Sequence, residues 1–284
     1  MLSKLSRLKQ LLGMLAPIAD NQQKTALYAA WSGNKLIFDK LLFHINSIML
    51  PLDVQLKRYG RNNDGGYVMA DDFQNIRTAY SFGINNDVSW DRDIANKGIK
   101  IFQFDPTIDM LPEDNDNFNF IKKGVYGGSN FCFLPRGNDY SFDTLTSFIN
   151  TYSPSDTDLL LKMDVEGYEY ESLLESREIL YKFKQITLEF HFLTDPMWAS
   201  LFCQLSTLLS QTHQLIHVHA NNAGDILTLS GHSISSVMEF TYLRKDSYSF
   251  RKSSLYYPTS IDMPNIPSKA EILLGYLGQE KDFL

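Results

Sequence analysis

Six side chains able to move protons or hold a cation stand at the ends of apolar runs in this chain. Asp164 and Glu166 follow the run Leu159 to Met163, just before Gly167. Glu189 and His191 close QITLEFHF, from Gln185 to Phe192, and His217 and His219 close QLIHVH, from Gln214 to His219. An apolar run without alternation suits a strand buried on both faces of a parallel sheet. These groups therefore collect at the carboxyl edge, where open α/β sheets present their chemistry. Histidine titrates near neutrality and suits a general base. His191 is the first choice, because a period of two puts Glu189 on the same strand face to orient it. His219, Asp164 and Glu166 are the other candidates. Asp164, Glu189 and His191 could also hold one Mg²⁺ or Mn²⁺. Zinc fits less well, since neither Cys132 nor Cys203 lies near these histidines in the sequence. The bland alternative is a strand-to-helix turn whose acids favour a helix start, with histidines that only bond within the sheet.

The elements that must position these groups begin at Ile76. Strands are predicted over Ile76–Phe82, Lys100–Phe104, Phe118–Val125, Leu159–Met163, Gln185–Phe192, Gln214–His219 and Ser236–Leu243. Between the last two, residues 226–235 carry no strong helix signal, so the seventh strand should return antiparallel. Helices are predicted over Ser89–Lys97, Ser141–Tyr152 with Ser141 as its cap, Pro196–Leu209, and a short stretch near Lys269–Tyr276. Upstream, LKRYGRNNDGGYVM reads as a hairpin turning at Asn63 to Gly66, with Tyr67 and the turn amides as a weaker pocket candidate. A single glycine, Gly83, follows the first strand, where a ligand can approach bare backbone. This is not GxGxxG, so the loop favours a nucleoside-containing ligand over a cradled diphosphate. Asp105, followed by Pro106, ends the second strand, where an acid accepts hydrogen bonds from ribose hydroxyls.

Composition sets outer limits. A chain of 284 residues with 44% hydrophobic residues can bury a substantial core. Three parts are expected: a helical extension over 1–50, the site-bearing domain over 51–250, and a tail over 251–284 that packs on it. The formal net charge of -7 argues against binding nucleic acid through its backbone. Leu2, Leu5, Leu8, Leu12 and Leu15 form an amphipathic stripe, and a second helical stretch runs from Lys24 to Met49. Such a stripe most often packs on its own domain or on a partner subunit, giving a homo-oligomer. Resting on a membrane surface is the lesser alternative. No run approaches the ~18 apolar residues of a transmembrane helix, and no signal-peptide pattern starts the chain. The expected compartment is the cytoplasm, membrane-peripheral at most, with both cysteines as reduced core thiols.

Taken together, DGGYV, SFGINNDVSWD, FDPT, LLLKMDVEGYE, EFHF and HVHANN resemble the FkbM-type branch of class I S-adenosylmethionine-dependent methyltransferases, over roughly Gln55 to Lys245. KMDVEGYE is the most specific piece. The chain departs from the commoner form at the first loop, where Asn85 and Asn86 stand in place of a second glycine. The resemblance implies a Rossmann-like α/β fold: a seven-stranded, mostly parallel sheet with an antiparallel last strand. It implies S-adenosylmethionine as cofactor, with Gly83 and Ile84 against the methionine part, Asp105 and Pro106 at the ribose, and Tyr126 and Gly127 flanking the adenine. Asp64, Tyr67 and Asp164 would close the amino-acid end. It also leans toward O-methylation of a carbohydrate, such as a sugar or nucleotide-linked sugar of a surface polysaccharide precursor. Asn221, Asn222, Tyr242 and Tyr248 would suit such an acceptor. The rivals are a nicotinamide-dependent oxidoreductase on a similar sheet and a non-catalytic module that binds a partner through its leucine helix.

Overall fold

The apolar runs without alternation become the middle of one sheet. In a computed structural model, which describes residues 20–128 and 139–278, the sheet comprises β1 (Thr78–Phe82), β2 (Lys100–Phe104), β3 (Phe118–Ile121), β4 (Leu159–Met163), β5 (Phe183–Phe190), β6 (His213–Ala220) and β7 (Met238–Arg244). Every residue of β1, β4 and β5 is buried, since both faces of these central strands are covered, and in β5 this takes in the polar Lys184, Gln185, Thr187 and Glu189. The order across the sheet is β6-β7-β5-β4-β1-β2-β3. Strands β3, β2, β1, β4 and β5 run parallel, and β7 lies antiparallel between β5 and β6. This is a Rossmann-like α/β arrangement. Its odd strand has a consequence for the site: the end of β6 is one strand further from β5 than chain order suggests.

Six helices flank the sheet among the described residues: α1 (Asp20–Ser32), α2 (Lys35–Asn46), α3 (Ser89–Ala95), α4 (Leu145–Tyr152), α5 (Glu169–Glu175) and α6 (Pro196–Leu209). The single helix expected from Lys24 to Met49 is two, broken at Gly33 and Asn34, and Met49–Pro51 is instead a strand paired with Phe250–Lys252. α2 buries Phe38, Leu41 and Ile45 in the main core, packing against α6, and the Trp31 indole N–H donates to the Thr194 carbonyl at 2.8 Å. α4 is capped by Thr144, whose Oγ1 accepts from the Ser147 N–H at 3.1 Å, rather than by Ser141. The hairpin pairs Leu56–Tyr59 with Tyr67–Ala70 and packs on the sheet, where the Thr241 hydroxyl donates to the Val68 carbonyl at 2.6 Å. Cys203 is buried and free, and burial pushes its thiol up to about 12. The leucine stripe and Cys132 lie outside the described residues. No described helix is long and apolar enough to cross a membrane.

The tail is bound to the sheet by charge rather than by helix. Residues 269–276 are not helical; Gly275–Tyr276 pairs with Tyr256–Tyr257, and the Asn222 amide donates to the carbonyls of Ile266 and Lys269. His217 Nε2 meets Asp262 at 2.7 Å, and Asn265 donates to Glu239 at 2.8 Å. His219 lies 3.4 Å from Glu239 and 3.3 Å from Glu271. Burial disfavours the charged ring, but these acids outweigh it and raise the His219 pKa from 6.5 to about 10. A raised histidine pKa stabilises the fold fully below 6.5, and this contribution is lost as pH climbs through about 10. The stability gap between the protein and His219→Asn should therefore narrow from pH 7 to pH 10 in urea unfolding. A gap independent of pH would contradict the ion pairs.

Candidate active site

The carboxyl ends of β1, β2 and β4 open on a cavity of about 370 Å³. Its rim is set by the close approach of two backbones. Gly83, at φ +79°, ends β1 against Asp164, and any Cβ there would fall on the Asp164 carbonyl oxygen. The glycine thus makes room for a neighbouring strand end rather than for a ligand. Asn85 follows with φ +51°, a left-handed conformation that asparagine tolerates better than most residues, so it takes the place of a second glycine. Asp105 then locks the loop. Its Oδ2 accepts from the N–H groups of Ile84 (3.0 Å) and Asn85 (2.8 Å), and its Oδ1 from the N–H (2.7 Å) and hydroxyl (2.6 Å) of Thr107. Lys162, the one charged residue of β4, donates to the Gly83 carbonyl at 2.6 Å.

A cluster of acids and one histidine forms the deep end. Glu169, at the start of α5, is fully buried, accepts from the Val165 N–H at 2.9 Å, and lies 3.0 Å from His191 Nδ1. The other ring nitrogen, Nε2, faces Glu166 at 3.6 Å, Glu189 at 3.6 Å and Asp164 at 3.9 Å. Tyr170 donates its hydroxyl to the His191 carbonyl at 2.6 Å, and Tyr67 donates to Asp164 Oδ2 at 3.2 Å. Burial alone would strip the proton from His191, but the charge and hydrogen bond of Glu169, with Glu189 and Glu166, raise its pKa well above the ordinary value. Glu189 is raised too, by burial and then by Asp164. Asp64, across the cavity, is raised by burial and by Asp164.

A comparison with known families bears on this segment. Residues 140–227 match the methyltransferase FkbM domain. No curated protein matches the chain. The FkbM domain match runs from the cavity wall at Tyr140 through β4, α5, β5, α6 and β6. It therefore includes Asp164, Glu166, Glu169, Glu189, His191 and His219, while Gly83 and Asp105 lie upstream. The carboxylate cluster thus lies within the matched segment.

Of the residues singled out in the sequence, Asp64, Gly83, Ile84, Asp105, Pro106, Asp164, Glu166 and Glu189 line the cavity. His191 borders it through Asp164, Glu166 and Glu189. His219 is not among the lining residues; it sits with the tail, since β7 separates β6 from β5. The wall expected at Tyr126 and Gly127 is formed two residues earlier, by Gly124 and Val125 with Phe142, because the Gly127 N–H is turned to Glu171 at 3.1 Å. Glu169 and Lys162 escaped the sequence reading. A lone lysine in an apolar strand is a signal for the second. Glu169 reads as a routine helix-start acid.

Gly83→Ala should lose about 2–5 kcal/mol, from strain at positive φ and from overlap with Asp164. Urea unfolding measures it. Wild-type stability in this variant would mean that the two strand ends are not in contact.

Proposed function

We propose that the protein is an S-adenosylmethionine-dependent O-methyltransferase acting on a hydroxyl of a sugar or nucleotide-linked sugar, on a class I methyltransferase fold. The observation that carries this is the charge of the cavity. Six carboxylates line it against two cationic side chains, Arg61 and Lys162. Arg61 is paired with Asp64 and Asp87, and Lys162 is spent on the Gly83 carbonyl. Such a lining repels a diphosphate and suits a ligand with an ammonium and a sulfonium centre. This weighs against the nicotinamide alternative, as does a first loop with one glycine.

The residues present fit that cofactor. Phe142 and Tyr168, with ring centroids 5.7 Å apart, give an apolar wall suited to adenine. Asp105, which fixes the first loop, would hold the ribose hydroxyls in exchange for the Thr107 hydroxyl it now accepts from. Asp64 and Asp164 face the amino-acid end. When bound, S-adenosylmethionine supplies a methyl group on a cationic sulfur. The protein's part is to align the acceptor oxygen in line with that carbon, exclude water and take the hydroxyl proton. His191 is held at Nδ1 by Glu169 with its Nε2 turned among three carboxylates, and His219 lies with the tail. The proton goes instead to the carboxylates of Asp164 and Glu166. Glu166, in a left-handed turn at φ +58° with its side chain 42% exposed, is the more accessible.

Transfer of a labelled methyl group from S-adenosylmethionine to a panel of sugars and nucleotide sugars tests the reading. Glu166→Gln should lower turnover by about 10²-fold or more while affinity for S-adenosylhomocysteine stays within about twofold. Asp105→Ala should weaken S-adenosylhomocysteine binding by about tenfold, through loss of the loop's anchor. Unchanged turnover in the first variant would remove Glu166 as the base, and unchanged affinity in the second would detach the loop from the cofactor.

A further inference from the structure

The deep end of the cavity holds an arrangement that methyl transfer by itself does not require. Glu169 takes the Nδ1 side of His191 at 3.0 Å. That leaves Nε2 directed at three carboxylate oxygens, two from the loop after β4 and one from β5: Glu166 Oε2 and Glu189 Oε1 at 3.6 Å, and Asp164 Oδ1 at 3.9 Å. These separations are too wide for hydrogen bonds, and Asp164, Glu169 and His191 each place a possible ligand atom within 4.8 Å of the others, the spacing of groups that could gather round one cation. Were a second ring proton the intended occupant, one carboxylate should close to hydrogen-bond distance, as Glu169 does on the other side. None does. Glu189 adds an independent sign. Its side chain is 6% exposed, its Oε1 receives only a 3.4 Å contact from the Asn221 amide, and its Oε2 has no hydrogen-bond partner among the described residues. A buried carboxylate left this way costs free energy unless a cation completes it.

We infer that Asp164, Glu189 and His191, with Glu166 at the open side, form a site for one hard divalent cation of the Mn²⁺ type, and that Glu169 is a positioning residue that fixes the His191 tautomer. A carboxylate behind a metal-bound imidazole is the usual way to orient such a ligand. Three carboxylate oxygens and one imidazole, with no thiolate, match Mn²⁺ better than zinc. Asp164 and Glu166 are 26% and 42% exposed, whereas Glu189 and His191 are enclosed. The remaining coordination positions therefore face the cavity. There they suit an acceptor with two neighbouring oxygens, a step that rests on the transfer reading above, whereas the cation site itself does not.

The test is a titration of the full-length, chelator-treated protein with Mn²⁺ alone, followed by calorimetry and electron spin resonance, without cofactor or acceptor. One Mn²⁺ per chain is expected, with spin-echo modulation from a single imidazole nitrogen. His191→Gln and Glu189→Gln should abolish binding, and Glu169→Gln should weaken it by about 10–100-fold. Asp109→Asn, on an exposed loop, should leave it unchanged. Absence of saturable binding at millimolar Mn²⁺, or binding without nitrogen modulation, would overturn the site. The nitrogen signal is read on the wild-type protein, so it decides the matter even where a variant fails to fold. Because no methyl transfer is measured, failure here leaves the methyltransferase reading standing.

Discussion

The buried contact between Glu169 and His191 is the joint on which the site depends. One carboxylate, with no exposure, accepts from the Val165 N–H and holds the imidazole of the neighbouring strand end. It therefore fixes the turn after β4, the start of α5 and the end of β5 relative to one another. Removing either partner from such a buried pair leaves an uncompensated charge and costs about 3–5 kcal/mol. Keeping both sets the direction of the second ring nitrogen, and with it the geometry of Asp164, Glu166 and Glu189. The pair is structural in its cost and functional in what it aims.

Around that joint, three of the six non-glycine residues at positive φ among the described residues border the site. Asn85, Glu166 and Phe192 are non-glycine residues at positive φ, and each lies in a loop that borders the cavity or the histidine. Such conformations persist only where surroundings over-determine them. The surroundings here are identifiable. Asp105 bonds the N–H of Asn85, Glu169 bonds the N–H preceding Glu166, and Tyr170 bonds the carbonyl preceding Phe192. The close packing of Gly83 on Asp164 completes a rigid mouth, so the acids meet a ligand already positioned.

Much of this was legible because burial leaves a plain mark. Apolar runs, some continuous as in Leu159–Met163 and some alternating as in Gln185–Phe192, located the sheet strands, and the lack of a helix before the last one foretold its antiparallel course. Strand ends located Asp164, Glu166, Glu189 and His191. What could not be read was lateral order. His219 looked equivalent to His191 in sequence, but β7 lies between their strands and turns His219 toward the tail. The surroundings of His191 were hidden for a similar reason, since Asp164 and Glu166 from the loop after β4, Glu169 from α5 and Glu189 from β5 meet it only in three dimensions. The expected helix over Lys269–Tyr276 gave way to a strand pair and to bonds from Asn222, contacts distant in sequence that local propensity does not register.

The ligand of the acid-lined cavity decides what the protein does. Calorimetric titration of the purified protein with S-adenosylhomocysteine, with NADH as the control, tests it most directly. Saturable one-to-one binding of S-adenosylhomocysteine, with no heat from NADH, is the predicted result. Binding of NADH, or of neither compound, would contradict a methyltransferase cavity at the ends of β1, β2 and β4.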